Sequence, residues 1–196
     1  MLREIIDFEL TDANSLERAA DRYGLLPFFY CGVPGFSVEE LTPSRYWFAG
    51  DVDGPWEWRM EVARRGSVAY GKLFAGKAGF CSREYYPDLA NYRRDGYDFD
   101  ALYEDGKASH RCKKIMDCFA LSPELPSYAL KRLAGFGKGG EKNFDGTVTK
   151  LQEQGYLVIK SFSRRRNARG EEYGWPVAVY TPAENLVSPA LIAEAY

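Results

Sequence analysis

A chain of 196 residues with 45% apolar and 15% aromatic side chains carries enough hydrophobic surface for a packed core, as one large domain or two small ones. Its longest apolar stretches, such as Leu25-Leu26-Pro27-Phe28-Phe29-Tyr30, fall far short of the roughly eighteen residues that a bilayer span requires, so no transmembrane helix is expected. The net charge of −2 conceals a segregation: residues 1–66 carry seven bases against twelve acids and residues 131–173 carry ten against five, which confines a polyanion-binding surface to the C-terminal end.

The first residues, Met1-Leu2-Arg3-Glu4-Ile5-Ile6-Asp7, have acids where a secretory leader has a basic patch and an apolar run, and a cytoplasmic location is expected. Asn14 to Tyr23 opens with cap-type residues, repeats apolar groups at helical spacing and stops at Gly24, which predicts a short helix. A second helix is expected over Trp56–Gly66, where Pro55 suits the first turn and a glycine ends the pattern. Ser67 to Phe74 and Ala78 to Cys81 flank Gly76-Lys77 and read as a β-hairpin. Residues 93–109, rich in Asp, Gly and charge, read as a linker. The expected division is therefore 1–105 as a helical region with a hairpin, 106–183 as a second domain and 184–196 as a tail.

Beyond that linker the periodicity sharpens. Arg111 to Ala120 sets Cys112, Ile115, Met116 and Phe119 on one face, and Ser122-Pro123-Glu124 breaks the pattern. A helix over Ser127–Gly135 follows, with Leu130 and Leu133 turned inward. A third helix from near Glu141 turns Phe144, Val148 and Leu151 inward and leaves Lys142, Gly146, Thr149, Lys150 and Glu153 outside, ending at Gly155. Tyr156–Phe162 and Trp175–Tyr180 are two strands joined by a long basic loop. Three helices and a β-ribbon in that order predict a winged helix-turn-helix, and the whole an α/β protein of the α+β kind.

A helix-turn-helix offers its last helix to the major groove while the ribbon loop lies along the backbone or minor groove. Here Lys138, Lys142, Asn143, Thr149 and Lys150 on or before the third helix, with Arg164, Arg165, Arg166 and Arg169 in the loop, are the candidate phosphate contacts, since guanidinium groups meet phosphates bidentately. Duplex DNA is the expected partner. Charge runs are also simply solvated faces, Glu171 and Glu172 partly neutralise the wing, and winged helices also dock proteins, so a protein-interaction module is the alternative.

Other motifs point less far. Gly135-Phe136-Gly137-Lys138-Gly139-Gly140 satisfies Gly-x-Gly-x-x-Gly but follows a helix, and the dinucleotide fingerprint needs a preceding strand; no cofactor is expected. Cys31, Cys81, Cys112 and Cys118 lack a Cys-x-x-Cys pair and His110 is the only imidazole, so no metal site is expected. Trp56 and Trp58 could stack on bases, although aromatic clusters are more often core. Asp98, Asp100, Glu104 and Asp105 lie along the linker, where nothing imposes the geometry that acid–base chemistry needs.

Several segments together resemble a known family. Leu16 to Leu26 is an amphipathic helix running into Tyr-Gly-Leu-Leu. Lys72-Leu73-Phe74 through Phe80 follows, then Glu84-Tyr85-Tyr86-Pro87-Asp88-Leu89 with Arg93 and Arg94, then Leu151 to Val158 and Tyr180. In this order residues 10–182 resemble the bacterial winged-helix proteins that include the AlkZ/YcaQ DNA glycosylases, and within them a shorter AlkZ-related group. The resemblance implies excision of alkylated or crosslinked purines through a Gln-x-Gln or Gln-x-Asp motif that follows a Leu-Gly-apolar-apolar stretch. The corresponding stretch is Tyr23-Gly24-Leu25-Leu26, and the motif positions fall on Pro27 and Phe29. The histidine usual in the central hairpin falls on Gly76. Glycosylase chemistry needs a carboxylate, or an amide that positions water, so the resemblance implies fold and DNA association without the inherited catalysis. The expectation is a non-catalytic DNA-binding protein. The alternative is a glycosylase with a displaced carboxylate, for which Glu57 and Glu61 are the candidates.

Overall fold

The computed structural model describes residues 9–48, 50 and 52–194, and the chain divides into two compact units between Tyr86 and Pro87. Among the described residues no helix is long and apolar enough to cross a membrane.

In the first unit, helix α1 (Ala13–Tyr23) starts where Asp12 accepts the Ser15 N–H at 2.6 Å and the Ser15 hydroxyl accepts the Asp12 N–H at 3.0 Å, a reciprocal cap that satisfies two otherwise orphaned donors. Its buried side, Leu16, Ala19 and Ala20, packs toward the later helix α4 (Pro55–Arg65) and strand β3 (Lys77–Ser82). Between them run β1 (Leu25–Pro27), α2 (Val38–Leu41), α3 (Arg45–Phe48) and, after α4, β2 (Val68–Phe74). The strands form an antiparallel sheet in the order β1-β3-β2, with Leu26 and Tyr70 both opposite Phe80. The expected hairpin is present, its turn made by Ala75 and Gly76 at φ 47° and 79°, the left-handed pair that a tight hairpin turn requires. β1 was not expected, because three residues ending in proline are too short to show strand alternation.

The second unit holds α5 (Tyr86–Arg94) from its second residue on, α6 (Phe99–Glu104), α7 (His110–Asp117), a 3₁₀ turn over 118–120, β4 (Leu125–Pro126), α8 (Ser127–Leu133), α9 (Phe144–Glu153), β5 (Leu157–Arg166), β6 (Glu172–Pro182) and α10 (Pro189–Glu194). Its sheet is antiparallel in the order β4-β6-β5, Tyr180 lying opposite Leu125 on one side and Ile159 on the other. Helices segregated from two small antiparallel sheets make an α+β protein.

One apolar cluster gathers Cys112 and Ile115 of α7, Leu130 of α8, Phe144, Val148 and Leu151 of α9, and Tyr156, Leu157 and Tyr180 of the sheet region. It also takes in Phe99 and Leu102, so the segment 93–109 read as a linker carries a helix: Asp98 caps α6 by accepting the Ala101 N–H at 2.8 Å, and two apolar residues three apart face inward. Leu133, expected inward, is 46% exposed; α8 ends there, and Ala134 and Phe136 take the inward positions. Residues 184–196, read as a tail, include α10, whose Ile192 carbonyl accepts the buried Asn91 amide. Arg94 ties the unit together. Its guanidinium lies 4.4 Å from the Tyr156 ring centre, donates to the Gly155 carbonyl at 2.6 Å and pairs with Glu184 at 2.6 Å.

Candidate nucleic-acid interface

The ribbon β5–β6 ends in a turn built by Asn167. Its Oδ1 accepts the N–H groups of Arg169 at 2.9 Å and Glu171 at 3.0 Å, and its amide donates to the Glu171 carboxylate at 2.8 Å, the local bonding that makes asparagine a turn residue. Asn167 therefore shapes the tip. Arg164, Arg165, Arg166 and Arg169 are all exposed around it. Arg166 pairs with Glu172 at 3.3 Å, whereas Arg164 and Arg169 enter no ion pair among the described residues. The register shifts between Ser163 and Arg165, which face Val177 and Tyr173, so Gly174, Trp175 and Pro176 bulge from β6. Proline cannot donate to a ladder and is tolerated at such bulges. Trp175, on this exposed end of the ribbon, is 88% exposed.

Below the tip, a cleft of about 460 Å³ is lined by Tyr128, Lys131, Arg132, Lys138 and Arg165, with Phe136 and the glycine turn completing it. The Arg165 guanidinium carbon stands 5.3 Å from the Tyr128 ring centre. The turn holds Gly135, Gly137 and Gly139 at φ 74°, 150° and 80°, a left-handed run that side-chain-bearing residues avoid. No carboxylate lines the cleft. Four cations around one small concavity create a field that attracts anions.

Of the residues chosen from sequence, Lys138 and Arg165 meet in this cleft, and Lys131, Arg132 and Tyr128 were missed. The signal was the Lys131-Arg132 pair directly before the glycine stretch, which reads as an ordinary solvated end of a short helix. Lys150 is exposed and Thr149 half-buried on α9, while Lys142, also exposed, precedes the helix, which starts at Phe144 rather than near Glu141. Asn143, at φ 66°, is the N-cap of α9; its carbonyl accepts both the N–H and the hydroxyl of Thr147, and its side chain lies where a Cβ on Gly146 would stand. Glu141 precedes this cap and pairs with Lys114 at 2.9 Å, Arg111 at 3.8 Å and His110 at 3.9 Å. The Lys114 hydrogen bond, aided by the other cations, holds its carboxyl below the usual glutamate range. Cys112 and Cys118 are buried, and among the described residues no group of three or more His, Cys, Asp or Glu side chains could hold a metal.

The remaining candidates lie in the first unit. Glu57 accepts the Gly54 N–H at 3.0 Å and so caps α4, and Glu61 pairs with Arg65 at 2.6 Å. Both carboxylates have structural partners. Trp58 is 4% exposed against Tyr46, with ring centres 5.2 Å apart, whereas Trp56 is 41% exposed. Trp56 packs with Phe28 at 5.3 Å, Phe29 at 5.9 Å and Trp47 at 6.0 Å, under the Arg59 guanidinium at 4.6 Å. Phe29 thus belongs to an aromatic cluster, and Pro27 sits in β1 opposite Gly79. These are the two positions where the resemblance would put polar catalytic residues, and both carry apolar packing.

The family described as AlkZ related matches residues 10–196. No curated protein and no solved structure matches the chain. A match over nearly the whole sequence settles the kinship: the chain belongs to the AlkZ-related family.

Proposed function

We propose that residues 106–183 form a winged helix-turn-helix domain and that the protein binds duplex DNA in the cytoplasm without catalysing a reaction on it. In this reading α7, α8 and α9 are the three helices, β4 joins the sheet between the first two, and β5–β6 is the wing. The observation that carries it is the exposed group Arg164, Arg165, Arg166 and Arg169 at the end of the ribbon. Guanidinium groups there suit phosphate contacts, and the exposed Lys150 on α9, with Lys142 just ahead of its N-cap, suits the neighbouring groove. Trp175, exposed on the same ribbon, adds an aromatic face. Membership of a family related to DNA glycosylases supports the partner. The absence of catalysis is supported by Pro27 and Phe29 in the motif positions, by the partners of Glu57 and Glu61, and by a cleft whose lining has no carboxylate. Titration of a short fluorescent duplex at low salt tests the proposal. Saturable binding is the expected result, and a flat titration by folded protein overturns it.

A further inference from the structure

The cleft beside the ribbon has more equipment than contact with a passing duplex requires. It is an open concavity of about 460 Å³, roomy enough to seat one nucleotide against its wall. Lys131, Arg132, Lys138 and Arg165 supply positive charge with no acid in the lining. Tyr128, 39% exposed, supplies an aromatic face with a guanidinium already against it. Of the glycines in the lining, a Cβ placed on Gly135 or Gly137 would meet nothing within 4 Å, so these two leave open space where other residues would project. Bases within a duplex have both faces covered by their neighbours, and only an unpaired base can offer one to a side chain.

We infer that this cleft takes one unpaired nucleotide of a DNA strand, with its phosphate among Lys131, Arg132, Lys138 and Arg165 and its base against Tyr128. The inference rests on the DNA-binding reading and specifies its substrate: a duplex with a single-stranded extension or an extruded base, in place of a perfect duplex. The ribbon holds the paired region through phosphates, and the cleft adds a contact that only an unpaired nucleotide can make. Arg165 belongs to both.

The experiment compares the affinity of the full chain for one blunt duplex and for the same duplex with a short single-stranded extension, with free deoxyadenosine monophosphate as a third probe. The extended duplex is expected to bind roughly fivefold to a hundredfold more tightly, the range that one stacked base gives. Tyr128→Leu and the pair Lys131→Ala with Arg132→Ala are expected to reduce or abolish that advantage, while Tyr128→Phe retains it; circular dichroism establishes that each variant is folded. Equal binding of both duplexes by the wild type, or an undiminished advantage in folded Tyr128→Leu, overturns the inference. Saturable binding of the free mononucleotide without preference for the extension assigns the cleft to a soluble nucleotide and also overturns it. If neither duplex binds, the DNA-binding reading has itself failed. If both bind equally and ribbon substitutions weaken both, that reading stands and only the inference falls.

Discussion

Arg165 holds its guanidinium carbon 5.3 Å from the centre of the Tyr128 ring, linking β5 to the first turn of α8. The neighbouring Arg164 and Arg169 make no ion pair among the described residues. Arginines of one ribbon therefore differ in role. Arg165→Ala is expected to lower stability by about 0.5 to 1 kcal/mol, the scale of a cation–π contact at an exposed site, while Arg164→Ala stays within about 0.5 kcal/mol of wild type. Urea denaturation of the two variants checks this, and equal stabilities contradict it.

Helix α9 separates packing from binding. Val148 is 2% exposed within the apolar cluster, so Val148→Ala is expected to cost about 1 to 3 kcal/mol with duplex affinity of the folded fraction intact. Lys142→Ala with Lys150→Ala is expected to leave the melting temperature nearly unchanged and to remove about two phosphate contacts from the salt dependence of binding. Should the lysine pair leave affinity unaltered, α9 is not the helix that meets DNA.

Incubation with alkylated or crosslinked duplex is expected to release no free base above background. Glu57→Ala is expected to lower stability by about 0.5 to 2 kcal/mol through loss of the α4 cap. Abasic sites accumulating in proportion to protein would sink the non-catalytic reading and make Glu57 and Glu61 the first residues to substitute.

Burial raises the phenols of Tyr156 and Tyr180 to about 12. A folded-state value above the unfolded one, near 10, means the fold favours the neutral phenol. That contribution is complete below about pH 10 and is lost as pH rises through about 12. Tyr70 and Tyr23 are shifted upward by burial as well, so absorbance titration is expected to show a late-ionising group of tyrosines that includes Tyr156 and Tyr180, with stability falling across this window. Ionisation of both near pH 10 in folded protein contradicts the packing described.

Long periodic elements were legible in the sequence. Helix α1 declared itself by the cap-type residues from Asn14 and the Gly24 end, although its cap proved to be Asp12, and α9 by Phe144, Val148 and Leu151. Elements set by tertiary pairing were not: β1 and β4 are three and two residues long and both end in proline, so neither has a period to read. Helix α6 was hidden because Asp98, an N-cap in the fold, reads as loop polarity when Phe99 and Leu102 are not known to be buried. In the candidate site, the charge of the ribbon was visible. The cleft was not, since Tyr128, Lys131 and Arg132 join Arg165 only when α8 packs against the sheet and the Arg165 side chain reaches across to it. Trp175 lies on the end of the ribbon, where residues 172–175 and 164–166 are all exposed, which its place in an apolar strand pattern did not forecast.

The most direct test of DNA binding through the ribbon is the slope of log affinity against log salt for a short duplex, measured for the wild type and for Arg164, Arg165, Arg166 and Arg169 all changed to Ala. Each lost phosphate contact shifts that slope by about 0.9. The folded variant is expected to bind more weakly, with a slope shallower by about three to four. An unchanged slope in a folded variant contradicts DNA binding through the ribbon.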